Sequence, residues 1–186
     1  VAAGSTLADP LTGQGFELGG HVNRKSGWWE PHAHGVVGVK EILRTDYLAA
    51  CCALVRAEAI RMTGVMPDNF LHGDDVEWTR RMQDFTGGKI VCVPWAFAMH
   101  PHFSRFATWT RYYTGRSAFG TLAAVHSGFR VRFKRAMVEV RRAVQQALND
   151  REDLARLHVR ALLDASRGVI TGKAADGIIN VIPATP

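Results

Sequence analysis

The order of four segments between residues 47 and 100 constrains the fold of this chain most. An apolar run of strand length is followed by two helix-like segments and then by a second apolar run; in order, YLAACCALV, RAEAIRMTG, DDVEWTRRMQDF and KIVCVPWAFAMH. The first helix-like segment ends in Gly64, and glycine is typical of a helix C-terminus. The pattern predicts part of an α/β layer. We expect the first run to be a strand buried on both faces and the last to form strand, turn at Pro94, strand.

The flanking segments have a different character. Residues 1–35 are rich in glycine and polar residues and predict short strands and loops, ending near the pair Trp28-Trp29, with a further strand at 35–39. After residue 100 the pattern is helical, with an aromatic stripe first. In VRFKRAMVEVRRAVQQAL the apolar residues recur at spacings of four and three, which predicts one face of an amphipathic helix. The Gly/Ala/Pro-rich end of the chain is expected to be loose.

Charge is unevenly distributed. The formal net charge is +6, and residues 101–160 contain 12 lysines and arginines against four acids. A basic segment of this kind indicates an anionic partner, either a membrane surface, a phosphorylated lipid or a nucleic acid. A solvated helix face explains the same charges. No recognisable helix-turn-helix, RNP or zinc pattern supports nucleic acid, so we expect none to bind.

The apolar residues argue against a membrane-spanning protein, and the cysteines argue against a zinc-binding or disulfide-linked one. No run approaches the roughly 18 apolar residues that a membrane span needs. The three cysteines, Cys51, Cys52 and Cys92, cannot all pair, and their spacing fits no zinc site. We therefore expect buried thiols in a reducing compartment.

Three acids lie within four residues, in the stretch LHGDDVEWTRR. Asp74 and Asp75 would occupy the first turn of a helix, where the exposed N–H groups stabilise carboxylates, and Glu77 would share a face with Asp74. An acidic N-terminus of a surface helix explains this pattern. A loop-to-helix junction between buried strands is also a usual place for a site. His100 follows the next apolar run, and an imidazole beside carboxylates suits a divalent metal or an acid/base pair.

The segment from 46 to 100 resembles the C-terminal half of the catalytic domain of family 2 glycosyltransferases with the GT-A fold. The family pattern is a strand with small residues and Cys, then R-x-x-x-(I/V)-x-x-x-G, F-x-x-x-x-D/E-D-x-(D/E)-(L/W/Y)-x-x-R and G-x-(K/R)-(I/V)-x-x-x-P-x-A-x-x-x-H. This chain supplies Cys52, Arg56, Ile60, Gly64, Phe70, Asp74, Asp75, Glu77, Trp78, Arg81, Gly88, Lys89, Pro94, Ala96 and His100.

Flanking pieces resemble the same family. TWTRYYTGRSAF is similar to the W-x-x-Y-Y-x-x-R-N segment of galactofuranosyl- and rhamnosyltransferase-like members, with Ser117 in place of the usual Asn. The resemblance implies a partial GT-A sheet followed by a C-terminal helical segment. It divides the chain into an acceptor-side half of the catalytic domain (1–103), basic helices (104–170) and a tail (171–186). The nucleotide-binding half with its D-x-D has no counterpart here, so we expect a C-terminal fragment that is inactive alone.

The resemblance also implies roles for residues. Asp75 would be the general base of an inverting transfer, with Asp74 able to share that role. Asp74 and Glu77 would bind the hydroxyls of the acceptor sugar, and Trp78 and Trp29 would stack on sugar faces. His100 would bind a divalent metal, Mn²⁺ or Mg²⁺, that neutralises the leaving nucleoside diphosphate. For Trp95 and Trp109 we expect core packing instead.

The function expected from this resemblance is that of a hexosyltransferase of bacterial type. It would transfer a sugar from a UDP- or dTDP-sugar to a glycan or polyprenyl-linked acceptor in cell-wall or other surface polysaccharide synthesis. The expected location is cytoplasmic, with the basic helices peripheral on the inner face of the plasma membrane. Two alternatives stay open: an anion- or nucleic-acid-binding module that uses the basic helices, and a metal-dependent hydrolase that uses Asp74, Asp75 and His100.

Overall fold

The computed structural model describes residues 1–23, 28–32, 40–69, 71–102, 108–124 and 128–169. The strands of this part are β1 Ala2–Ala8, β2 Gly15–Glu17, β3 Gly20–Asn23, β4 Trp28–Pro31, β5 Leu43–Thr45, β6 Ala53–Val55 and β7 Ile90–Met99. The helices are α1 Ala57–Thr63, α2 Asp74–Thr86, α3 Thr110–Ala124, α4 Phe129–Leu148 and α5 Glu152–Ser166. The expected α/β class is confirmed. The expected strand at 35–39 and the tail from 171 lie outside the described residues.

The described residues cluster into two compact units. The first contains those within 1–66 and 75–102, and the second contains those within 67–74 and 108–169. The first unit therefore holds all seven strands together with α1 and nearly all of α2. The second holds the three long helices and the loop that precedes α2.

A mixed sheet built around β1 forms the first unit. β1 pairs in parallel with β7 and antiparallel with β2 and β6, while β5 pairs antiparallel with the other edge of β7. The segment between the parallel strands β1 and β7 includes α1 and α2, as a parallel crossover requires. β3 and β4 form a separate hairpin-like pair. The core beneath the main sheet consists of Ala2, Leu18, Leu48, Ile90 and Cys92.

The expected turn at Pro94 is wrong. β7 continues through it as one strand, with an irregularity in its pairing: Ser5 lies opposite Val93, but Thr6 lies opposite Phe97. Because Pro94 has no N–H to give to the ladder, the chain bulges there, and Thr6 Oγ1 donates to the Pro94 carbonyl at 2.8 Å. The bulge turns Trp95 outward. Its side chain is 55% exposed, so the expected core packing of Trp95 is also wrong.

The expectation for YLAACCALV is also wrong. The run contains a 3₁₀ turn, Ala50–Cys52, and only its last residues form a strand, β6, at the edge beside β1. Alanine has little preference for strands, and a short apolar run does not identify its own secondary structure. All three cysteines are free thiols, but only Cys92 is buried; Cys51 is exposed and Cys52 is half-buried.

The two predicted helices are confirmed. α1 ends at Gly64, whose φ of 78° favours glycine and whose N–H donates to the Ile60 carbonyl at 2.7 Å. α2 buries Val76, Thr79 and Met82 on one face, as the three-residue spacing of an amphipathic helix allows.

The second unit is helical and includes a core of aromatic and aliphatic side chains. Tyr112 and Tyr113 of α3 pack with Leu154, Leu157 and Ala161 of α5, and Trp109 packs against this cluster. Core packing of Trp109, the expected role, is confirmed. None of the helices within the described residues is both long and apolar enough to cross a membrane.

Polar side chains of α3 hold the loop before α2. Arg116 donates to the Asn69 carbonyl at 3.2 Å, Ser117 to the Leu71 carbonyl at 3.0 Å and Thr121 to the Gly73 carbonyl at 3.1 Å. The three carbonyls belong to alternate residues of the same loop. Ser117 thus makes a defined contact with this loop.

α4 buries a charged face. Glu139 is fully buried and accepts hydrogen bonds from Arg135 at 2.5 Å, Arg142 at 3.0 Å and His158 at 2.8 Å. Burial lowers the pKa of Arg135 to about 10, although Glu139 opposes that shift. The pKa of Glu139 is lowered: burial favours the neutral acid, but the hydrogen bond from His158 and the charges of the two arginines outweigh it. Arg135 therefore belongs to the interior and not to the basic surface.

Glu139→Ala should destabilise the second unit strongly, because it leaves the buried Arg135 without its counter-charge. The expected loss in free energy of unfolding is about 3–5 kcal/mol, measured by urea denaturation followed by circular dichroism. Glu152→Ala is the matched control, because Glu152 also pairs with an arginine four residues on, Arg156, but at a side chain that is 78% exposed. It should cost less than about 1 kcal/mol. Equal losses would contradict a buried ion cluster.

Candidate active site

The acidic stretch lies where the sequence predicts, at the start of α2. His72 and Gly73 both have left-handed backbone conformations, with φ of 62° and 81°, and they turn the chain into the helix. Asp74 is the first helical residue and groups with the second unit, while Asp75 groups with the first. The positive end of the helix dipole stabilises carboxylates at both positions.

Backbone donors hold the Asp75 carboxylate. Its Oδ1 accepts the N–H of Val76 at 2.8 Å, and its Oδ2 accepts the N–H of Ala50 at 3.4 Å. The second donor comes from the 3₁₀ turn that replaces the predicted strand. The departure from strand structure at residues 50–52 therefore contributes directly to orienting this carboxylate.

The charge of Asp75 acts on a second carboxyl, Glu17. Glu17 is the last residue of β2 and is 8% exposed. Burial, and then the charge of Asp75, raise the pKa of Glu17 from an ordinary 4.5 to about 7. Two carboxyls in one site, one of them protonated near neutral pH, form the arrangement that acid/base chemistry uses.

Glu17 is missing from the residues that the sequence singles out. It stands 58 positions before Asp75, and no motif connects the two. The available signal is local: Glu17 lies between Phe16 and Leu18, and both neighbours are buried. A charged residue inside an apolar triplet of a strand indicates either a paired charge or a site.

Tyr47 and Cys51 complete the cluster around the two acids. Loss of solvation raises the pKa of both side chains, in full for the buried Tyr47 and in part for the exposed Cys51, and the charges of Glu17 and Asp75 raise them further. The Cys51 thiol reaches a pKa of about 11, so it stays protonated at neutral pH and is not a nucleophile. The Tyr47 ring packs on Gly20, where a Cβ would lie 2.7 Å from the phenol oxygen. Glu17, Tyr47, Cys51 and Asp75 are called the carboxyl cluster from here on.

Other predicted residues of α2 have structural partners. Glu77 forms a two-point ion pair with Arg81, at 2.8 and 3.1 Å, and Arg81 also donates to the carbonyls of Thr63 and Val65. Trp78 Nε1 donates to the Gly64 carbonyl at 3.0 Å. These contacts fasten α2 to the end of α1. Roles for Glu77 and Trp78 in acceptor binding stay predictions.

Asp74 lies near a half-buried imidazole, His72, in the second unit. Burial lowers the pKa of His72, and the charge of Asp74 partly opposes that shift. Asp74 is half-buried at the helix start. Its predicted contact with an acceptor hydroxyl stays a prediction.

Trp28 and Trp29 lie side by side on β4. Their rings stack with centroids 5.4 Å apart and planes 14° from parallel, and both side chains are half-buried. A flat, partly exposed indole pair suits a sugar face. Stacking of a sugar on Trp29 stays a prediction.

His100 follows β7 directly, at the same edge of the sheet where Asp9 follows β1. The His100 N–H donates to the Ala8 carbonyl at 2.9 Å, which continues the parallel ladder. Its Nδ1 lies 2.8 Å from the Pro101 carbonyl. Because a carbonyl oxygen only accepts, this contact orients the ring with Nδ1 as donor, which makes Nε2 the nitrogen that would bind a metal. Within the described residues, no group of three His, Cys, Asp or Glu side chains is placed to hold a metal, so His100 would be one ligand among others.

Glu17→Gln should stabilise the chain in a pH-dependent way. The folded state keeps the Glu17 proton up to a pKa of about 7, whereas the unfolded chain loses it near 4.5. A raised carboxyl pKa therefore costs stability as the pH rises through this window. The variant's gain in free energy of unfolding should be larger at pH 8 than at pH 4 by about 3 kcal/mol, measured by urea denaturation.

Glu41→Gln provides the control for this measurement, because it also removes one carboxyl but from an exposed loop position. A pH-independent difference between Glu17→Gln and the parent chain would show that the pKa of Glu17 is not raised in the folded chain.

Comparison with family models and with curated proteins found no match for this chain. No family model matches this chain, and no curated protein matches it at a significant level. A function for the carboxyl cluster is therefore inferred from its own geometry and from the motifs in the sequence.

Proposed function

We propose that this chain is the acceptor-side part of an inverting glycosyltransferase of the GT-A type, with Asp75 as the general base. The observation that carries the proposal is the carboxyl cluster. It sets a carboxylate at a helix N-terminus within electrostatic range of a buried carboxyl, Glu17, whose pKa is about 7. The ordered match to the family 2 motifs from Cys52 to His100 supports the same function.

The transfer requires one proton to move. As the acceptor hydroxyl oxygen forms its bond to the anomeric carbon of the donor, the bond from that carbon to the nucleoside diphosphate breaks. Asp75 takes the proton of the hydroxyl. The N–H groups of Val76 and Ala50 keep the carboxylate in one orientation, so its geometry does not have to be established during the reaction.

The protonation state of Glu17 changes the negative charge that acts on the general base, Asp75. When Glu17 is protonated, Asp75 carries the single negative charge of the pair. Ionisation of Glu17 near pH 7 adds a second negative charge that acts on the Asp75 carboxylate. Tyr47 and Cys51 keep their protons near neutrality, so they add hydrogen-bonding groups without adding charge.

His100 is a candidate ligand for a divalent metal. Mn²⁺ or Mg²⁺ would supply positive charge to the leaving diphosphate when bound. His100 would hold it through Nε2, because the Pro101 carbonyl orients Nδ1. Further ligands are needed for a complete site.

The substrate class follows from the same proposal. The donor is a UDP- or dTDP-sugar and the acceptor is a glycan or a polyprenyl-linked glycan at the cytoplasmic face. Asp74 and Trp29 are the remaining candidates for acceptor contacts, since Glu77 and Trp78 already bind within the first unit.

Asp75→Asn should lower sugar transfer by a factor of about 10²–10⁴ in the full-length protein, because the amide cannot take a proton. Transfer is measured with radiolabelled donor and donor binding by calorimetry, and donor binding should be unchanged. Asp84→Asn is the matched control, because it makes the same change on the same helix at a carboxylate that pairs with Arg80. It should leave transfer unchanged.

Three results would contradict this assignment in different ways. Retained transfer in Asp75→Asn, with loss in Asp74→Asn, would move the base to Asp74. Loss only in Glu17→Gln would move it to Glu17. A full-length protein that binds no nucleotide sugar and transfers none would remove the proposed function itself.

A further inference from the structure

α4 has an apolar stripe on its exposed side. Six side chains recur at spacings of four, four, three, four and four along the helix, and each is between 39% and 80% exposed: Phe129, Phe133, Met137, Val140, Val144 and Leu148. At 100° per residue they occupy one face. A helix of this length extends about 30 Å, so the stripe is a continuous apolar surface of a kind that marks an interaction site.

A row of basic side chains borders the stripe. Arg130, Lys134 and Arg141 follow it on one side of the helix, and all three are exposed. Within the described residues none of the three makes an ion pair. Three unneutralised cations therefore lie next to six exposed apolar groups, on a surface called the α4 face from here on.

The orientation of the α4 face is fixed by the opposite side of the helix. Arg135, Glu139 and Ala143 are buried there, and Glu139 binds Arg135, Arg142 and His158. Rotating the helix to bury the stripe would expose Ala143 and separate a buried ion cluster, which is strongly unfavourable. The apolar side consequently stays outward in the second unit.

We propose that the α4 face docks on an anionic lipid bilayer surface. The six apolar side chains would enter the boundary between headgroups and acyl chains, and the basic row would contact lipid phosphates. This places the helix in the plane of the membrane surface. The inference is independent of the transfer reaction, because no residue of the carboxyl cluster takes part in it.

Other occupants fit the α4 face less well. A second copy would cover the apolar stripe, but an antiparallel copy would bring the two basic rows to the same side, where they repel, and a parallel copy would leave both rows without a counter-charge. A nucleic acid would pair with the basic row, but its phosphates leave the stripe of Phe, Val and Leu in water. A bilayer surface satisfies both parts at once.

The first test is co-sedimentation of the chain with vesicles. We expect binding to phosphatidylcholine vesicles that contain about one quarter phosphatidylglycerol to exceed binding to pure phosphatidylcholine by about 100-fold, from three lysine or arginine contacts. Raising the salt to about 0.5 M should reduce this difference at least tenfold, because it screens the charges. Equal binding to both vesicle types, or none, would overturn the proposal.

The second test separates the α4 face from net charge. Arg130→Glu, Lys134→Glu and Arg141→Glu together should reduce binding to anionic vesicles at least tenfold. The matched control reverses three exposed basic residues of the first unit, Lys40→Glu, Arg61→Glu and Lys89→Glu. Both variants change the formal charge from +6 to zero, yet the control should lose less than threefold. Equal losses would show a charge effect without a docking surface.

The third test addresses the apolar stripe. Phe133→Ser, Met137→Ser and Val144→Ser together should abolish binding to anionic vesicles at low salt while preserving the helical circular dichroism signal, because all three residues are exposed. Two results would overturn the proposal. A parent chain that is dimeric and becomes monomeric in this variant would assign the stripe to a second copy. Unchanged vesicle binding, with tight DNA or RNA binding that only the charge variant loses, would assign the basic row to nucleic acid.

Discussion

The buried guanidinium of Arg116 is the constraint on which the helical unit depends. A fully buried cation must be compensated where it lies, and Arg116 meets the faces of Tyr112 and Tyr113 with its charge centre 5.3 and 5.0 Å from the ring centroids. It also donates to the loop before α2. Ser117 and Thr121 add two hydrogen bonds to the same loop, so the core of the second unit and the path of that loop are fixed together.

In the first unit, the carboxyl cluster destabilises the ionised form of Glu17. Glu17 would be more stable in water, and its raised pKa expresses that loss directly. Asp75 is held by backbone N–H groups and by a helix N-terminus, which favour the charged form. Opposite environments at neighbouring carboxyls separate their protonation states, and this separation is what a base needs to remain ionised beside an acid. Strained electrostatics of this kind are typical of sites.

α4 shows why amphipathicity alone does not identify the inner side of a helix. Its apolar residues follow one face, as the periodicity predicts, but the interior is occupied by Glu139 and its cationic partners. The buried polar face of α4 also has a partner on α5, where His158 donates to Glu139 at 2.8 Å. The apolar face is left for a partner with both an apolar layer and negative charge.

Local pattern determined α1, α2 and the acidic start of α2, because capping glycines and helical periodicity depend only on residues close in the chain. It did not determine that only residues 53–55 of the run at 47–55 pair with β1, or that β7 continues through Pro94 as one strand, since both pairings are with β1, which lies far away in sequence. The approach of Glu17 to Asp75 across 58 residues, and the outward direction of the stripe on α4, were decided by tertiary structure alone. Burial and like charge act through space, and the chain's linear order does not encode those distances.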